Sequence, residues 1–241
     1  MRRYFISDLH LDGQDTPRAL KFREFLKRLS AEAQAAPVEL YVLGDLFEFW
    51  YEYRAQLFQI YHADLRALTA AWEAGVRVFL LYGNRDFAYG EYVRRRFGAT
   101  ILGDGGAVAL NDTRRAWLEH GDLLCTADRR YQRFRSWIRS GPVRLLFWLL
   151  PWTCARRLIE RLRQRAAAAK AAKPAVQMQL DHEAARTRLE AHGCQVLICG
   201  HLHDAQAHDV GGGGRLIALP AWCDTLSGMV DDERGFRRFS A

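Results

Sequence analysis

The chain has 241 residues, 49% hydrophobic and 26% charged, with 19 Gly and 6 Pro, a composition that excludes a disordered, collagen-like or disulfide-stapled small protein. A chain of this length can bury a sizeable core. Its net charge of +7 is concentrated in one segment: residues 129–173 hold thirteen Lys and Arg against Glu160 alone, which is +12, and the rest of the chain carries −5.

The first apolar run, residues 3–7, reads as a strand that ends in Asp8-Leu9-His10, and Thr16-Pro17 then opens a helix through Leu20, Phe22, Phe25, Leu26 and Leu29. Residues 40–43 form a second strand ending in Gly44-Asp45, residues 57–72 one helix, and residues 76–82 a third strand ending in Gly83-Asn84-Arg85-Asp86. Three units of strand, polar cluster and helix predict a parallel sheet with the clusters at the carboxyl ends of its strands. After Gly98 come short strands at 100–102, 107–110 and 114–119, the last running into His120-Gly121-Asp122. A helical stretch over about 128–192 reads as an insertion into a single domain spanning 1–241. Strands resume at 195–199, ending in Gly200-His201-Leu202-His203, and continue through a Gly211 to Gly214 hairpin turn.

Cys125, Cys154, Cys194, Cys199 and Cys223 form an odd set without a CxxC pair, as expected in a reducing compartment, and no secretory leader is expected. The longest apolar stretch, 143–154, contains Arg144 and Pro151 and is shorter than the ~20 residues that cross a bilayer. Basic residues of 129–173 alternate with Trp137, Phe147, Trp148, Leu149, Leu150 and Trp152, which points to a partner both anionic and greasy.

Taken singly, each polar cluster is an ordinary turn or helix cap. Together they supply carboxylate, imidazole and amide donors at strand ends, a set suited to divalent Mn, Fe or Zn rather than to Ca. The spacing in Asp8-x-His10 and His201-x-His203 would turn both members of each pair to one face of an extended segment. Seven donors exceed what one tetrahedral ion uses, whereas two ions sharing a carboxylate use them all.

The order D-x-H, G-D, G-N, H-G, G-H-x-H resembles the calcineurin-like metallophosphoesterase superfamily. The finer spelling, Asp8-Leu9-His10-Leu11, Gly44-Asp45-Leu46-Phe47-Glu48, Gly83-Asn84-Arg85-Asp86-Phe87 and His120-Gly121-Asp122 through Tyr131-Gln132, is similar to the branch that hydrolyses UDP-2,3-diacylglucosamine in lipid A biosynthesis. The resemblance implies an α/β fold, a four-layer αββα sandwich with the helical insertion as a lid. It implies two divalent ions, manganese being expected, one on Asp8, His10, Asp45 and His203 and the other on Asp45, Asn84, His120 and His201. Asp45, Asn84, Arg85 and His120 would be catalytic, and Asn84, Arg85, Asp128, Lys173 and His201 would contact a nucleotide-linked glycolipid.

The expected reaction is attack of water on the α-phosphorus, releasing UMP and 2,3-diacylglucosamine 1-phosphate. Superfamily members that cleave alkyl or aryl esters usually carry His after the Asn as a proton donor. Arg85 stands there in this chain and cannot donate a proton at neutral pH, which suits a phosphate leaving group. The chain departs from the branch at Asp204-Ala205, at Trp222-Cys223 and in the alanines around Lys170 and Lys173. The basic segment places the expected enzyme in the cytoplasm, peripheral on the inner face of an anionic membrane, with no nucleic acid and no obligate protein partner. The alternative is a metal-dependent nuclease or nucleotide phosphodiesterase, in which the same segment tracks a nucleic-acid backbone.

Overall fold

The computed structural model describes residues 1–52, 54–171 and 179–241, which form two compact units, Met1–Asp122 with His182–Ala241, and Leu123–Asp181. The first unit is built on two sheets. Strands β1 (Arg2–Ile6), β2 (Val38–Val42), β3 (Arg77–Leu81), β4 (Thr100–Gly103), β10 (Ser227–Asp232) and β11 (Gly235–Ser240) make one, in the order β11-β10-β1-β2-β3-β4. Strands β5 (Gly105–Ala109), β6 (Arg115–Glu119), β7 (Val196–Cys199), β8 (Gln206–Gly211) and β9 (Gly214–Ala218) make the other, in the order β5-β6-β7-β9-β8.

β1, β2, β3 and β4 pair in parallel, and so do β6 with β7 and β7 with β9. All five residues of β2 are buried, as a strand covered on both faces requires. One face supplies Phe5 and Tyr41 to an apolar layer shared with Leu118, Val196 and Ile198 of the second sheet. The other face turns Tyr4 onto Phe25 of helix α1 (Pro17–Ala33), ring to ring at 5.5 Å. Helix α1 has Pro at its first turn and buries Ala19, Phe22, Phe25, Leu26 and Leu29, a single helical stripe.

The helix expected over 57–72 is two helices, α2 (Ala55–Ile60) and α3 (His62–Glu73). The break falls at Tyr61, which leaves helical geometry to pack its ring 4.5 Å from that of Phe47 and to accept a hydrogen bond from the Phe49 N–H at 3.3 Å. A short helix, α4 (Glu91–Phe97), was not predicted. It ends at Gly98 with φ +55°, a left-handed cap.

The second unit contains α5 (Arg129–Ile138), α6 (Gly141–Leu149) and α7 (Trp152–Ala171). Its two ends are tied together, since the Asp181 N–H donates to the Leu124 carbonyl at 2.9 Å and the Thr126 hydroxyl donates to the Asp181 carboxylate. Helix α8 (His182–His192), which the periodicity merged with this stretch, belongs to the first unit and packs on the second sheet through Ala185 and Leu189. Helical periodicity alone carries no mark of where a chain returns to its sheet. A four-residue helix, α9 (Trp222–Thr225), follows β9 and precedes β10.

Candidate metal centre

Strands β1, β2, β3, β6 and β7 end within a few residues of Asp8, Asp45, Asn84, His120 and His201, so five carboxyl ends deliver the polar clusters to one place. Asp45 is its hub. Asp45 Oδ2 stands 3.8 Å from His10 Nδ1 and 3.8 Å from His120 Nε2. Asp8 Oδ1 lies 4.0 Å from His10 Nε2 and 3.7 Å from His203 Nε2. The His120 and His201 rings are 5.1 Å apart, edge to face.

The route to this cluster differs from the one the spacing predicts. Asp8, His10, Asp45, His201 and His203 all have positive φ, between 48° and 74°, and they are five of the seven non-glycine residues with positive φ among those described. Neither Asp8-x-His10 nor His201-x-His203 is extended; each is a left-handed turn just past its strand. An extended pair would continue along the sheet, whereas these turns fold the side chains back over its edge. Residues held there cost on the order of 1–3 kcal/mol each and persist only where their surroundings enforce them.

The surroundings do so through backbone donors and close glycines. Asp8 Oδ2 accepts the His201 N–H at 2.9 Å, and Asp45 Oδ1 accepts the Arg85 N–H at 3.0 Å. A Cβ on Gly200 would stand 2.6 Å from Asp8 Oδ2, so only glycine lets β7 and β1 converge there. On Gly44, at φ +82°, a Cβ would stand 2.6 Å from His120 Nδ1.

Each carboxylate thus spends one oxygen on the backbone and keeps the other for the cluster. The histidines divide their nitrogens likewise. His120 Nδ1 donates to the Leu43 carbonyl at 2.8 Å and His203 Nδ1 donates to Asp224 Oδ2 at 2.8 Å, which turns Nε2 of both rings inward. Asp8 Oδ1, His10 Nδ1 and His120 Nε2 are buried without a hydrogen-bond partner. Such orphaned acceptors, converging from several elements, fit a divalent cation. Asn84 fits as well. In one orientation its amide nitrogen donates to Asp45 Oδ1 at 2.8 Å, and in the other its oxygen faces that carboxylate, an arrangement that a cation between them makes favourable.

The electrostatics agree. Burial pushes the Asp45 carboxyl up to about 8, with the neighbouring Asp86 and Asp8 charges adding to the rise, and burial drives the His10 imidazole down to about 3. His120 resists the same desolvation because Asp45, Asp8 and Asp122 surround it, and it rises to about 9. Crowded carboxylates and a His10 imidazole kept neutral by burial suit a cation, which would displace the proton that the same carboxylates draw to His120.

The family model for calcineurin-like phosphoesterases matches residues 1–205. The chain belongs to this family. Its relatives include the UDP-2,3-diacylglucosamine hydrolase of Aeromonas salmonicida (strain A449), 36% identical over 233 residues, which are 95% of this chain and 89% of that protein. The UDP-2,3-diacylglucosamine hydrolase of Azotobacter vinelandii (strain DJ / ATCC BAA-1303) is 37% identical over 226 residues, 92% and 91% of the two chains. Among solved structures, wild-type Vps29 complexed with zinc from Entamoeba histolytica aligns with 99% of this chain and 97% of its own at 13% identity, with a TM-score of 0.47. As a calcineurin-like phosphoesterase the chain is a hydrolase of the metal-dependent kind.

Three residues near the phosphoesterase cluster had no role assigned from sequence. Glu48 pairs with the Arg85 guanidinium and lies 3.7 Å from His10 Nδ1, Asp86 sits behind Asp45, and Asp224 holds His203. Glu48 and Asp86 stand inside the motifs that flag the site, so their place could have been read; Asp224 follows Trp222-Cys223 with no motif to mark it. Beside it, burial lifts the Cys223 thiol to about 12. Asp128 caps α5 in the second unit by accepting the Tyr131 N–H at 3.0 Å. Lys173 lies outside the described residues.

Proposed function

We propose that the chain hydrolyses the pyrophosphate bond of UDP-2,3-diacylglucosamine, releasing UMP and 2,3-diacylglucosamine 1-phosphate. The observation that carries this reading is the similarity over 92–95% of the chain to proteins named as hydrolases of that substrate, supported by the approach of His10 and His120 to Asp45. One ion would be held by Asp8, His10, Asp45 and His203 and a second by Asp45, Asn84, His120 and His201, with manganese our choice for both. Two such cations would lower the pKa of bound water and offset charge on the phosphoryl oxygens.

The protein's own groups then have defined tasks. His120 and His203 would present Nε2 to the ions, in an orientation fixed by the bonds at Nδ1. Arg85, its side chain 37% exposed at the rim, has Nε 3.8 Å from Asp45 Oδ2 and pairs with Glu48. When a diphosphate enters, the guanidinium can exchange Glu48 for phosphoryl oxygens and bind them in a bidentate way. It supplies charge and no proton, and a sugar phosphate leaving group, with a second pKa of ~6, needs none.

The second unit would serve as the lid and the membrane contact. Leu146, Trp148 and Leu149 of α6 are each more than half exposed, and Arg156, Arg157 and Arg161 are exposed on α7. Together they suit an anionic lipid surface, on the cytoplasmic face in our reading. Among the described residues no helix is long and apolar enough to cross a membrane. The test is hydrolysis by the Mn²⁺-loaded protein of UDP-2,3-diacylglucosamine, a UDP-sugar without acyl chains, and single-stranded RNA. Preference for the acylated substrate is expected; preference for RNA would replace this reading with a nuclease.

A further inference from the structure

Asp86 is fully buried, at 0% exposure, and its two oxygens take five donors. Oδ1 accepts the Asp45 N–H and the Gly83 N–H, both at 3.0 Å. Oδ2 accepts the Leu46 N–H at 2.7 Å, the Phe47 N–H at 3.2 Å and the Tyr89 hydroxyl. A carboxylate offers about four lone-pair sites. Asp86 is therefore saturated and has no capacity left to ligate a cation, although it stands one loop away from the cluster.

The donors come from two loops. Asp45, Leu46 and Phe47 follow β2, and Gly83 follows β3 immediately before Asn84. Three consecutive N–H groups converging on one carboxylate require a turn, and it is here that Asp45 has φ +53°. Asp86 thus ties together the loop that carries Asp45 and the loop that carries Asn84. We infer that Asp86 is a positioning residue for the dinuclear centre: it holds the Asp45 backbone in its left-handed turn, in register with Asn84, so that the Asp45 carboxylate reaches both ion positions. This rests on the reading of Asp45 as the shared ligand.

A merely structural Asp86 and a positioning Asp86 differ in what they do to the bound ions. In Asp86→Asn the shape is kept, but an NH₂ group must face backbone N–H donors, so the Asp45 turn loses its clamp. Tyr89→Phe removes a single donor and leaves the four backbone ones. The full-length proteins are titrated with Mn²⁺ by calorimetry and examined by electron paramagnetic resonance, in which two ions sharing a carboxylate give an exchange-coupled signal. The wild type is expected to take up two ions with a coupled signal. Asp86→Asn is expected to bind the second ion about 10–100-fold more weakly, to lose the coupled signal, and to lose kcat while KM stays within about threefold. Tyr89→Phe is expected to weaken the second ion by about fivefold.

A lower melting temperature in Asp86→Asn with wild-type ion affinity and coupled signal makes the residue structural and overturns the inference. If Asp86→Asn does not fold, Tyr89→Phe decides alone, and wild-type affinity for the second ion overturns it. A wild-type chain that binds only one ion overturns the two-metal reading itself, a result distinct from either of these.

Discussion

His203 Nδ1 lies 2.8 Å from Asp224 Oδ2, while the opposite nitrogen of the same ring lies 3.7 Å from Asp8 Oδ1. The contact fixes the tautomer and aims Nε2 at the cluster. Removing a carboxylate that orients a ligating histidine costs about 10–100-fold in metal affinity. Asp224→Ala is therefore expected to weaken Mn²⁺ binding by at least about tenfold, read by calorimetric titration, with little change in the melting temperature of the ion-free protein, since Asp224 is half exposed. Unchanged affinity would show that the ring is held by other contacts.

Replacing Asp45 or His120 by Ala is expected to lower activity by at least about a thousandfold, because each removes a donor that no neighbour can supply. The fold should stay cooperative in thermal unfolding, as both side chains sit past strand ends and outside the apolar layer between the sheets. Retention of two tightly bound ions in Asp45→Ala, measured by elemental analysis, would remove Asp45 from the shared position.

Arg85 contributes a permanent charge where a proton donor would serve ester substrates. Arg85→His should raise the ratio of kcat/KM for an aryl phosphodiester to that for the pyrophosphate substrate, by at least about tenfold. A ratio equal to that of the wild type would assign the guanidinium to its pairing with Glu48 alone.

Charge reversal of Arg156, Arg157 and Arg161 to Glu tests the lipid contact. Basic groups near an anionic leaflet contribute about 1 kcal/mol each, so sedimentation with anionic vesicles should fall by at least about tenfold. KM for the acylated substrate should rise while hydrolysis of a small soluble phosphoester holds. Vesicle binding that survives the reversal would place the contact elsewhere.

Asp64 offers a pH test away from the metal cluster. Its side chain is buried, with Arg23 Nε at 3.4 Å, and burial raises its carboxyl from 3.8 to about 6 against the pull of Arg23. The native state therefore binds the proton more tightly than the unfolded chain. The stability this adds is fully present below pH 4 and is lost as the pH rises through about 6, a loss of roughly 3 kcal/mol. Asp64→Asn should remove that slope and be the more stable protein at pH 7 to 8, as followed by urea unfolding at several pH values. Parallel pH profiles for the two proteins would contradict the assignment.

The strands that end at the cluster are legible because each is a short apolar run closed by residues that turns favour, and β1, β2, β3, β6 and β7 all appear within a few residues of where the runs stand. The polar clusters at those strand ends are legible for the same reason. Their backbone is not: an extended D-x-H and a left-handed one have identical letters, and what selects the turn is a set of remote donors such as His201 N–H on Asp8. The split at Tyr61 is hidden because a buried ring and a helical one share a periodicity. Asp224 is hidden because its partner is 21 residues away, joined only when the loop after β7 meets α9.

The hydrogen bond from Asp181 to Leu124 closes the second unit at its neck. A segment whose two ends already touch can be shortened or exchanged at little cost in chain entropy, because the distance that any replacement must bridge is that of an ordinary tight turn. For the strands that run into His120 and out of α8, the helices between are a detour rather than a span. Replacing residues 125–180 by a short turn should therefore leave the registers of β6 and β7, and with them the placement of His120 and His201, as they are.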